Sequence, residues 1–354
     1  MVPGQARLTT KVRLDIQISD RDSSLMKHTP PTASRRPNTV VLHGHARTDD
    51  YAWLKDPNWQ QVMKTPEVLD ADIRMYLEAE NDFSNAALAP NDALVRELFE
   101  ELKGRIKEDD STVPSPDGPY EYYVRYETGG QHPIFCRSRI SNEKIDDEEV
   151  LMDGNREAEG KAYFKVGSLC HGPNHRHIAY SLDLNGSERF TIQFYDTEAD
   201  MVIADRISNA KGDMVWANDG CHLFYAMLDD NHRPYRVMCH EVGTPTTADT
   251  LVYEEMDPGF FLSIGPSKSR RFVVISAHDH TTSEVRLVDA SVIDTIPVLV
   301  APRERDVEYD VSHHGNKLLI LTNADGAEDF KIVEAPLTNP GRANWTDWQA
   351  YKAG

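Results

Sequence analysis

The chain has 354 residues, of which 40% are hydrophobic and 27% are charged, and its formal net charge is -20. This composition is typical of a folded protein and argues against wholesale disorder. A surface this acidic repels phosphate backbones, so we expect no nucleic-acid partner, whereas cationic ligands are attracted over a Debye length of about 8 Å.

The N-terminal sequence and the cysteines indicate the compartment. The first thirty residues contain no apolar core of a signal peptide, and no run of about 18 apolar residues occurs anywhere. The four cysteines (Cys136, Cys170, Cys221 and Cys239) form no C-x-x-C pair and are too few for a disulfide framework, so reduced, buried thiols are expected. These features predict a cytoplasmic protein without a membrane partner.

The first 110 residues divide into a polar arm and a helical segment. Residues 1–37 are polar and have no sustained period, which predicts a partly disordered arm that becomes ordered by lying on another surface. Residues 38–110 predict helices. Thr65, followed by Pro66, is the predicted N-cap of the first helix. A second helix is predicted from Asp92 to about Lys107, because its apolar residues recur at three- and four-residue spacing.

From residue 111 to 354 the sequence predicts an all-β region. Short runs rich in Val, Ile, Tyr, Phe and Thr are separated by Gly, Asp, Asn and Pro. A unit recurs in which a polar turn precedes a short apolar strand. If Glu121, Ile178, Leu223, Phe272 and Leu318 are equivalent strand positions, the intervals are 57, 45, 49 and 46 residues.

A repeat of this length is typical of the four-stranded blades of a β-propeller. A β-sandwich would explain the strands but not so long a regular period. The pair Asn185-Gly186 predicts a tight hairpin turn inside one unit. About five blades can be counted, and because a blade buries both faces only between neighbours, five blades without closure predict an incomplete propeller.

The sequence contains no self-sufficient hydrolytic motif. A G-x-S-x-G nucleophile elbow is missing, and the nearest strings, at residues 167–168 and 265–269, lack the second glycine. Residues 141–144 match S-x-x-K but lie in a polar loop, and no K-T-G follows. The motifs H-E-x-x-H, P-loop and G-x-G-x-x-G are missing as well. We therefore predict no catalytic residue and no cofactor in this chain.

The histidines do not predict a metal site. Cys170, His171, His175 and His177 are close in sequence, but a strand-turn-strand segment sends alternate side chains to opposite faces, so convergence is not expected. Three further pairs are interpreted as turn or surface histidines: His43 with His45, His278 with His280, and His313 with His314.

Several strings resemble a known peptidase family. HGHARTDDYAWLKD at residues 43–56 resembles a signature near the N-terminus of the prolyl oligopeptidase family. GPYEYYVRYETGGQHPIFCR at 118–137, LMDGNREAEG at 151–160 and NADGAEDFKIVEAP at 323–336 resemble its trypsin-like branch, oligopeptidase B. Such strings follow in matching order from about residue 30 to the end, whereas residues 1 to about 27 have no counterpart.

This resemblance implies a serine-type endopeptidase with a seven-bladed propeller over an α/β-hydrolase domain. It implies hydrolysis of short peptides after Lys or Arg by a Ser-Asp-His triad that lies in the C-terminal half, without metal or cofactor. That half is expected to be absent from this chain, so the chain alone is expected to be inactive and to gate substrate access in the intact enzyme. Its implied partners are the C-terminal hydrolase domain and short basic peptides. The alternative is a stand-alone propeller that binds another protein without catalysis.

Two finer hypotheses follow. The segment around residues 43–56 is predicted to dock on the hydrolase domain, because charge mixed with large aromatic rings is typical of docking surfaces, although a simple staple onto the adjacent helices is the alternative. An acidic rim would concentrate basic substrates, whereas a uniformly acidic coat would not. The predicted docking residues are His43, Gly44, Arg47, Asp49, Asp50, Tyr51, Trp53 and Leu54.

Overall fold

The structure, a computed structural model, describes residues 29–140, 148–293 and 296–352. It contains two compact units: unit 1 ends at Ile106 and unit 2 begins at Lys107. Most of the predicted arm, and the S-x-x-K string at 141–144, lie outside the described residues.

Unit 1 combines a β-hairpin with three helices. The hairpin turns at His43 and Gly44, which both have positive φ, a conformation that glycine adopts without strain. The elements of unit 1 are β1 (Asn38–Leu42), β2 (His45–Asp49), α1 (Trp59–Lys64), α2 (Ala71–Leu88) and α3 (Asp92–Lys103).

The start of α2 differs from the prediction. Thr65 does not cap a helix; it precedes a short 3-10 turn, and its hydroxyl accepts a hydrogen bond from the Gln61 side chain at 3.2 Å. The N-cap is Asp70, whose carboxylate accepts the backbone N–H groups of Asp72 and Ile73 at 2.9 and 3.2 Å. A carboxylate at this position also complements the helix dipole.

The helix α3 begins where predicted but ends earlier and leaves its apolar face open. It ends at Lys103, and Gly104, a poor helix former, follows. None of its residues is buried by the described part of the chain. The apolar side chains of this segment are between 47% and 68% exposed: Leu94, Val95, Leu98, Phe99, Leu102 and Ile106.

Unit 2 consists of antiparallel sheets whose strands follow one another in chain order. The first sheet is β3 (Ser115–Asp117), β4 (Tyr120–Arg125), β5 (Ile134–Arg139) and β6 (Glu149–Asp153). The second is β7 (Lys165–His171), β8 (His177–Asp183), β9 (Phe190–Asp196), β10 (Met201–Trp216), β11 (His222–Leu228), β12 (Pro234–Glu241) and β13 (Thr250–Glu254). The third is β14 (Phe261–Pro266), β15 (Phe272–His278), β16 (Ser283–Asp289) and β17 (Val298–Ala301), and the fourth is β18 (Tyr309–His314), β19 (Lys317–Thr322), β20 (Lys331–Pro336) and β21 (Thr346–Gln349).

The seven-stranded sheet is two blades that share the long strand β10. The first part of β10 pairs with β9 and the last part pairs with β11. The register shifts between Ile203 and Met214, and Gly212 has φ +105, so the strand bends as it passes from one blade to the next. Counting β10 in both, unit 2 has five four-stranded blades, numbered here in chain order. The predicted all-β fold, an incomplete propeller of about five blades after a mostly helical segment, is confirmed.

The predicted repeating strands are the second strands of the five blades, with one equivalence wrong. In blade 4 the position that matches Ile178 and Leu223 is Val273, one residue after Phe272. Each of the three is fully buried and pairs with the last residue of the preceding strand. Phe272 instead closes the turn, where its carbonyl accepts the Ser267 N–H at 2.8 Å. Phe272 is itself buried, at 7% exposed, in the cluster between blades 4 and 5, so the buried residues of this strand begin one position before the equivalent Val273.

Hydrophobic clusters fill the four spaces between successive blades. Met152 and Tyr180 pack between blades 1 and 2, Phe194 and Leu223 between blades 2 and 3, Phe224 and Leu262 between blades 3 and 4, and Leu287 and Ile320 between blades 4 and 5. Among the described residues no cluster joins blade 5 to blade 1. The core of unit 2 is therefore an open row of interfaces.

Two local features depart from prediction. A short helix, α4 (Gly154–Ala158), capped by the Asp153 carboxylate, interrupts the region predicted to be free of helices, and five residues are too few to show a helical period. Cys136 and Cys239 are buried as expected, whereas Cys221 is exposed in the blade 3 turn.

Candidate functional site

The two ends of the blades provide the frame for the functional surfaces of unit 2. In a four-stranded antiparallel blade, the first and third turns lie at one end, and the second turn lies at the other end with the links between blades. We name these the turn end and the linker end. The first strands line the central channel of a propeller.

The predicted docking residues lie together on the hairpin of unit 1 and the turn that follows it. His43 and Gly44 form the hairpin turn, Arg47 and Asp49 are exposed on β2, and Asp49 accepts the Tyr51 N–H at 2.9 Å. Tyr51 is 42% exposed, whereas Trp53 and Leu54 are half-buried. Docking on a hydrolase domain stays a prediction.

Trp53 is held by neighbours within unit 1. Its Nε1 donates to the Ser34 carbonyl at 2.8 Å, the Arg36 guanidinium lies 4.2 Å from the centre of its ring, and Tyr76 contacts its edge at 6.3 Å. The indole therefore orders the segment 34–36 against α2, as a staple would, while Tyr51 keeps an exposed ring.

A cluster that the sequence did not predict lies at the turn end, between blades 1 and 2. His171 and His175, which were not expected to converge, lie with ring centroids 5.1 Å apart, and the Tyr122 ring stacks on His171 at 4.0 Å. The Tyr122 hydroxyl is 2.9 Å from His175 Nδ1. Gly118 has φ +57, and a Cβ there would lie 2.5 Å from the His175 ring, so a larger residue would be strained and would displace that ring.

His177 and Cys170 lie away from this cluster, as strand alternation predicts. His177 Nδ1 is 3.1 Å from the Gly220 carbonyl, and its ring stacks near Trp216. Burial raises the pKa of the Cys170 thiol to about 12. Within residues 29–140, 148–293 and 296–352, no group of three or more His, Cys, Asp or Glu side chains is placed to hold a metal ion.

Asp117, at the end of β3, joins the histidine cluster to blade 4. Its carboxylate lies 3.1 Å from His171 Nε2 and accepts both Nη groups of Arg270, one of them at 2.9 Å. Burial alone would raise the pKa of Asp117, but the hydrogen bond and charge of Arg270 outweigh it and lower that pKa below its usual value. Burial lowers the pKa values of His171 and His175, which favours neutral rings.

A cavity of about 300 Å³ lies beside Arg270, among the turns of blades 2, 3 and 4. Its walls are mainly apolar, with His171, Asn218 and Arg270 as polar groups. The apolar walls include Leu169, Pro173, Met214, Trp216 and Phe272.

One serine and one histidine are in contact at the turn end. Ser269 Oγ lies 2.8 Å from His313 Nδ1, but His313 Nε2 is buried without a hydrogen-bond partner, so no carboxylate orients the ring as in a triad. Ser168 donates to the Gly212 carbonyl at 2.5 Å, and Ser267 accepts the Phe272 N–H at 3.0 Å. The serines of the two near-motif strings serve the fold.

The two ends differ sharply in charge. Described loops at the turn end balance Glu148, Glu198, Asp200, Asp219 and Asp249 against Arg176, Lys268, Arg270, Arg271 and Arg342. At the linker end, the basic residues are Lys107, Arg156, Lys161, Arg189, Arg233, Arg303, Arg305 and Lys352. The acidic ones are more than twice as many: Glu108, Asp109, Asp110, Glu127, Glu157, Glu159, Glu188, Asp229, Asp230, Glu255, Asp257, Asp279, Glu304, Asp306, Glu308, Asp325, Glu328 and Asp329. Among the loops that the structure describes, the acidic excess lies at the linker end.

Known proteins share the sequence and the architecture of this chain. The profile described as "Prolyl oligopeptidase, N-terminal beta-propeller domain" matches residues 30–353. Dipeptidyl aminopeptidase BI of Pseudoxanthomonas mexicana is 37% identical over 92% of the chain and 46% of the relative, and Protease 2 of Moraxella lacunata is 32% identical over 87% and 44%. The chain thus spans about half the length of these relatives.

Two solved structures share the architecture. Oligopeptidase B from Leishmania major superposes with a TM-score of 0.82 at 30% identity, covering 92% of this chain and 46% of that one. Oligopeptidase B from Trypanosoma brucei, in a closed form with covalently bound antipain, gives 0.79 at 27% identity, covering 91% and 46%. No helix among the described residues is long and apolar enough to cross a bilayer.

Proposed function

The chain belongs to the prolyl oligopeptidase family as its N-terminal β-propeller portion, and from this premise we propose that it is the front part of an oligopeptidase B-like serine endopeptidase. In this proposal the intact cytoplasmic enzyme hydrolyses short peptides after Lys or Arg, and a C-terminal α/β-hydrolase domain carries the chemistry. The propeller portion gates access to that domain and is inactive alone. The docking residues around Tyr51 and Trp53 contact the hydrolase domain.

The observation that carries the preference for basic peptides is the charge difference between the two ends. The links between blades all lie at the linker end, so a domain that continues from the propeller would be attached there. Acidic loops at that end face the space in which a substrate would wait. A one-sided negative field raises the local concentration and the association rate of cationic ligands, whereas a uniform coat gives no direction.

Peptide hydrolysis by two proteins tests the proposed activity. The longer protein that contains this chain followed by a hydrolase domain is expected to cleave short fluorogenic peptides after Lys or Arg, and purified 1–354 is expected to show no turnover. Turnover by 1–354, or a longer protein that ignores basic residues, would contradict the proposal.

Paired charge variants of the longer protein test the steering. Glu304→Gln with Glu328→Gln removes two exposed charges at the linker end, and Glu198→Gln with Glu241→Gln removes two at the turn end. The first pair is expected to lower kcat/KM for dibasic peptides about two- to fivefold at low salt, and the loss is expected to shrink as salt screens the field. Equal effects of both pairs would show that steering does not depend on the linker end.

A further inference from the structure

The hairpin loop between β8 and β9 contains the one Asn-Gly pair of the sequence, Asn185 and Gly186. The backbone nitrogen of a glycine can attack the side-chain amide of the asparagine before it, because the glycine has no side chain that shields this nitrogen. The attack expels ammonia and converts asparagine into aspartate or isoaspartate. Both residues are exposed, at the linker end of blade 2. The pair is therefore a candidate modification site, and its neighbours decide how fast it reacts.

The loop conformation favours glycine at residue 186. The loop is wider than the tight turn that the pair predicts, since β8 ends at Asp183 and β9 begins at Phe190. Gly186 nevertheless has φ +77, a conformation in which a residue with a side chain is strained. The fold therefore selects at this position the residue that leaves the attacking nitrogen unshielded.

The Asn185 side chain is folded over the peptide bond that follows it. Its Oδ1 accepts the backbone N–H of Ser187 at 3.2 Å, which closes an Asx turn. This turn keeps the carboxamide of Asn185 beside the Gly186 peptide. The Ser187 N–H also points at the oxygen that gains negative charge when the carboxamide carbon is attacked, as the donors of an oxyanion hole do. The Asn185 carboxamide is thus placed and polarised for the attack.

The attacking nitrogen is restrained by a buried carboxylate. Asp183 is fully buried, and its Oδ1 accepts the backbone N–H groups of Asn185 and Gly186, each at 3.0 Å. Its Oδ2 accepts the Glu188 N–H at 2.7 Å. The Gly186 nitrogen must lose its proton before it attacks, and this loss is harder beside a carboxylate because it places a second negative charge next to the first. Asp183 therefore slows the reaction that the rest of the loop favours.

We propose that Asn185 is a site of deamidation through a succinimide, at a rate that Asp183 sets. The Gly186 nitrogen gives its proton to water and forms a bond to Asn185 Cγ. The bond from Cγ to Nδ2 breaks, and Nδ2 takes up a proton and leaves as ammonia. Water then opens the succinimide ring at either carbonyl, which gives aspartate or isoaspartate without oxidation or reduction. Each product adds one negative charge at the linker end, and isoaspartate also lengthens the main chain of the hairpin.

Ageing of the folded 1–354 chain at neutral pH tests the proposal and needs no enzymatic activity. Mass spectrometry of the proteolytic fragment that contains residue 185 follows the change from amide to carboxylic acid, and enzymatic methylation counts isoaspartate. Asp183→Asn keeps the shape of the side chain and removes its charge. This variant is expected to speed deamidation of Asn185 about tenfold, because a charged acceptor of the Gly186 N–H is replaced by a neutral one.

The matched control is in the corresponding hairpin of blade 4. Asp279 accepts the backbone N–H groups of Thr281 and Thr282 at 2.8 and 2.7 Å, as Asp183 does two and three residues on. Asp279→Asn is expected to leave the deamidation rate of Asn185 unchanged. An equal increase in both variants would overturn the role of Asp183.

Two further measurements separate the charge of Asp183 from loosening of the hairpin. Hydrogen exchange of the β9 amides must be the same in Asp183→Asn as in the wild type, and if it is faster, Asp183→Ser replaces that variant as a smaller uncharged acceptor. The guanidinium-unfolded wild-type chain gives the unrestrained rate, and the folded wild type is expected to deamidate more slowly at Asn185. A folded wild type as fast as the unfolded chain overturns the proposal, and so does an unchanged rate in an Asp183 variant whose β9 is intact.

Discussion

Unit 1 and unit 2 handle apolar residues in opposite ways. In unit 2 the inner strands bury side chains between blades, as in β9, where every second residue is buried, and side chains such as Phe194 and Leu223 are fully inaccessible. In unit 1 the helix α3 has an equally regular apolar face that no described residue covers, and Phe99 is 60% exposed. A clear hydrophobic period therefore indicates which face will be buried, and it does not indicate that the partner is in the same chain.

The largest expected difference between the units is in truncation of a phenylalanine. Phe194→Ala in the core between blades 2 and 3 is expected to cost about 3–5 kcal/mol in the free energy of unfolding, because it removes buried surface and leaves a cavity. Phe99→Ala in α3 is expected to cost less than about 0.5 kcal/mol in the same chain. Urea unfolding of 1–354 followed by tryptophan fluorescence measures both. A large loss for Phe99 would mean that its face is covered after all.

Stability measured as a function of pH compares an ionic contact of unit 2 with one of unit 1. The Arg176 hydrogen bonds, followed by backbone N–H groups of Glu198 and Ala199, lower the pKa of Asp196 to about 2. Because this is below the usual value of about 3.9, the ionised carboxylate stabilises the folded state above that pH, and the contribution is lost as pH falls towards 2. Asp196→Asn is expected to cost about 1 kcal/mol at neutral pH and nothing near pH 2, after allowance for solvent screening.

The matched control is in unit 1. Asp72 forms an exposed pair with Arg36 at 2.8 Å, and Asp72→Asn is expected to cost only a few tenths of a kcal/mol. An Asp196 variant whose deficit stayed constant down to pH 2 would show that the amide loses a neutral hydrogen bond rather than a charge contact.

The most local effect concerns the cap of α2. Asp70→Ala removes the acceptor of two backbone N–H groups and is expected to lower the stability of α2 by about 1 kcal/mol. The change is expected only in the helical signal, which unit 1 dominates. Circular dichroism would show earlier helix melting while the fluorescence transition of the propeller stays in place. Glu78→Ala, on the same helix away from its end, serves as the control. Parallel shifts of both signals would mean that the two units unfold together.

Much of the propeller was predictable because its signals are local. Turn residues and two-residue alternation recur within a few positions, so blade number and second strands follow from the sequence. The errors were local as well: Phe272 is a buried residue one position before the equivalent Val273, and Thr65 with Pro66 resembled a helix cap although Asp70 lay five residues on.

The turn-end cluster could not be predicted in the same way. The contact between Asp117 and Arg270 depends on how three successive interfaces rotate blade 4 back towards blade 1, and no local pattern encodes that rotation. The prediction that His171 and His175 would not converge was wrong for a related reason. His171 is on a strand and His175 is in a turn with positive φ, so strand alternation does not apply to both. One usable signal was present. When the turns of blades 2, 3 and 4 are aligned, arginine occupies a position that is glycine in blade 3.

The shared strand β10 has a mechanical consequence. The other neighbouring blades are joined by side-chain packing and a link, so no backbone ladder runs from one to the next. Blades 2 and 3 belong to one hydrogen-bonded sheet, in which Ala210 of β10 pairs with Phe190 on one side and with Met227 on the other. We therefore expect relative motion of the blades to occur at the other interfaces, while blades 2 and 3 move together.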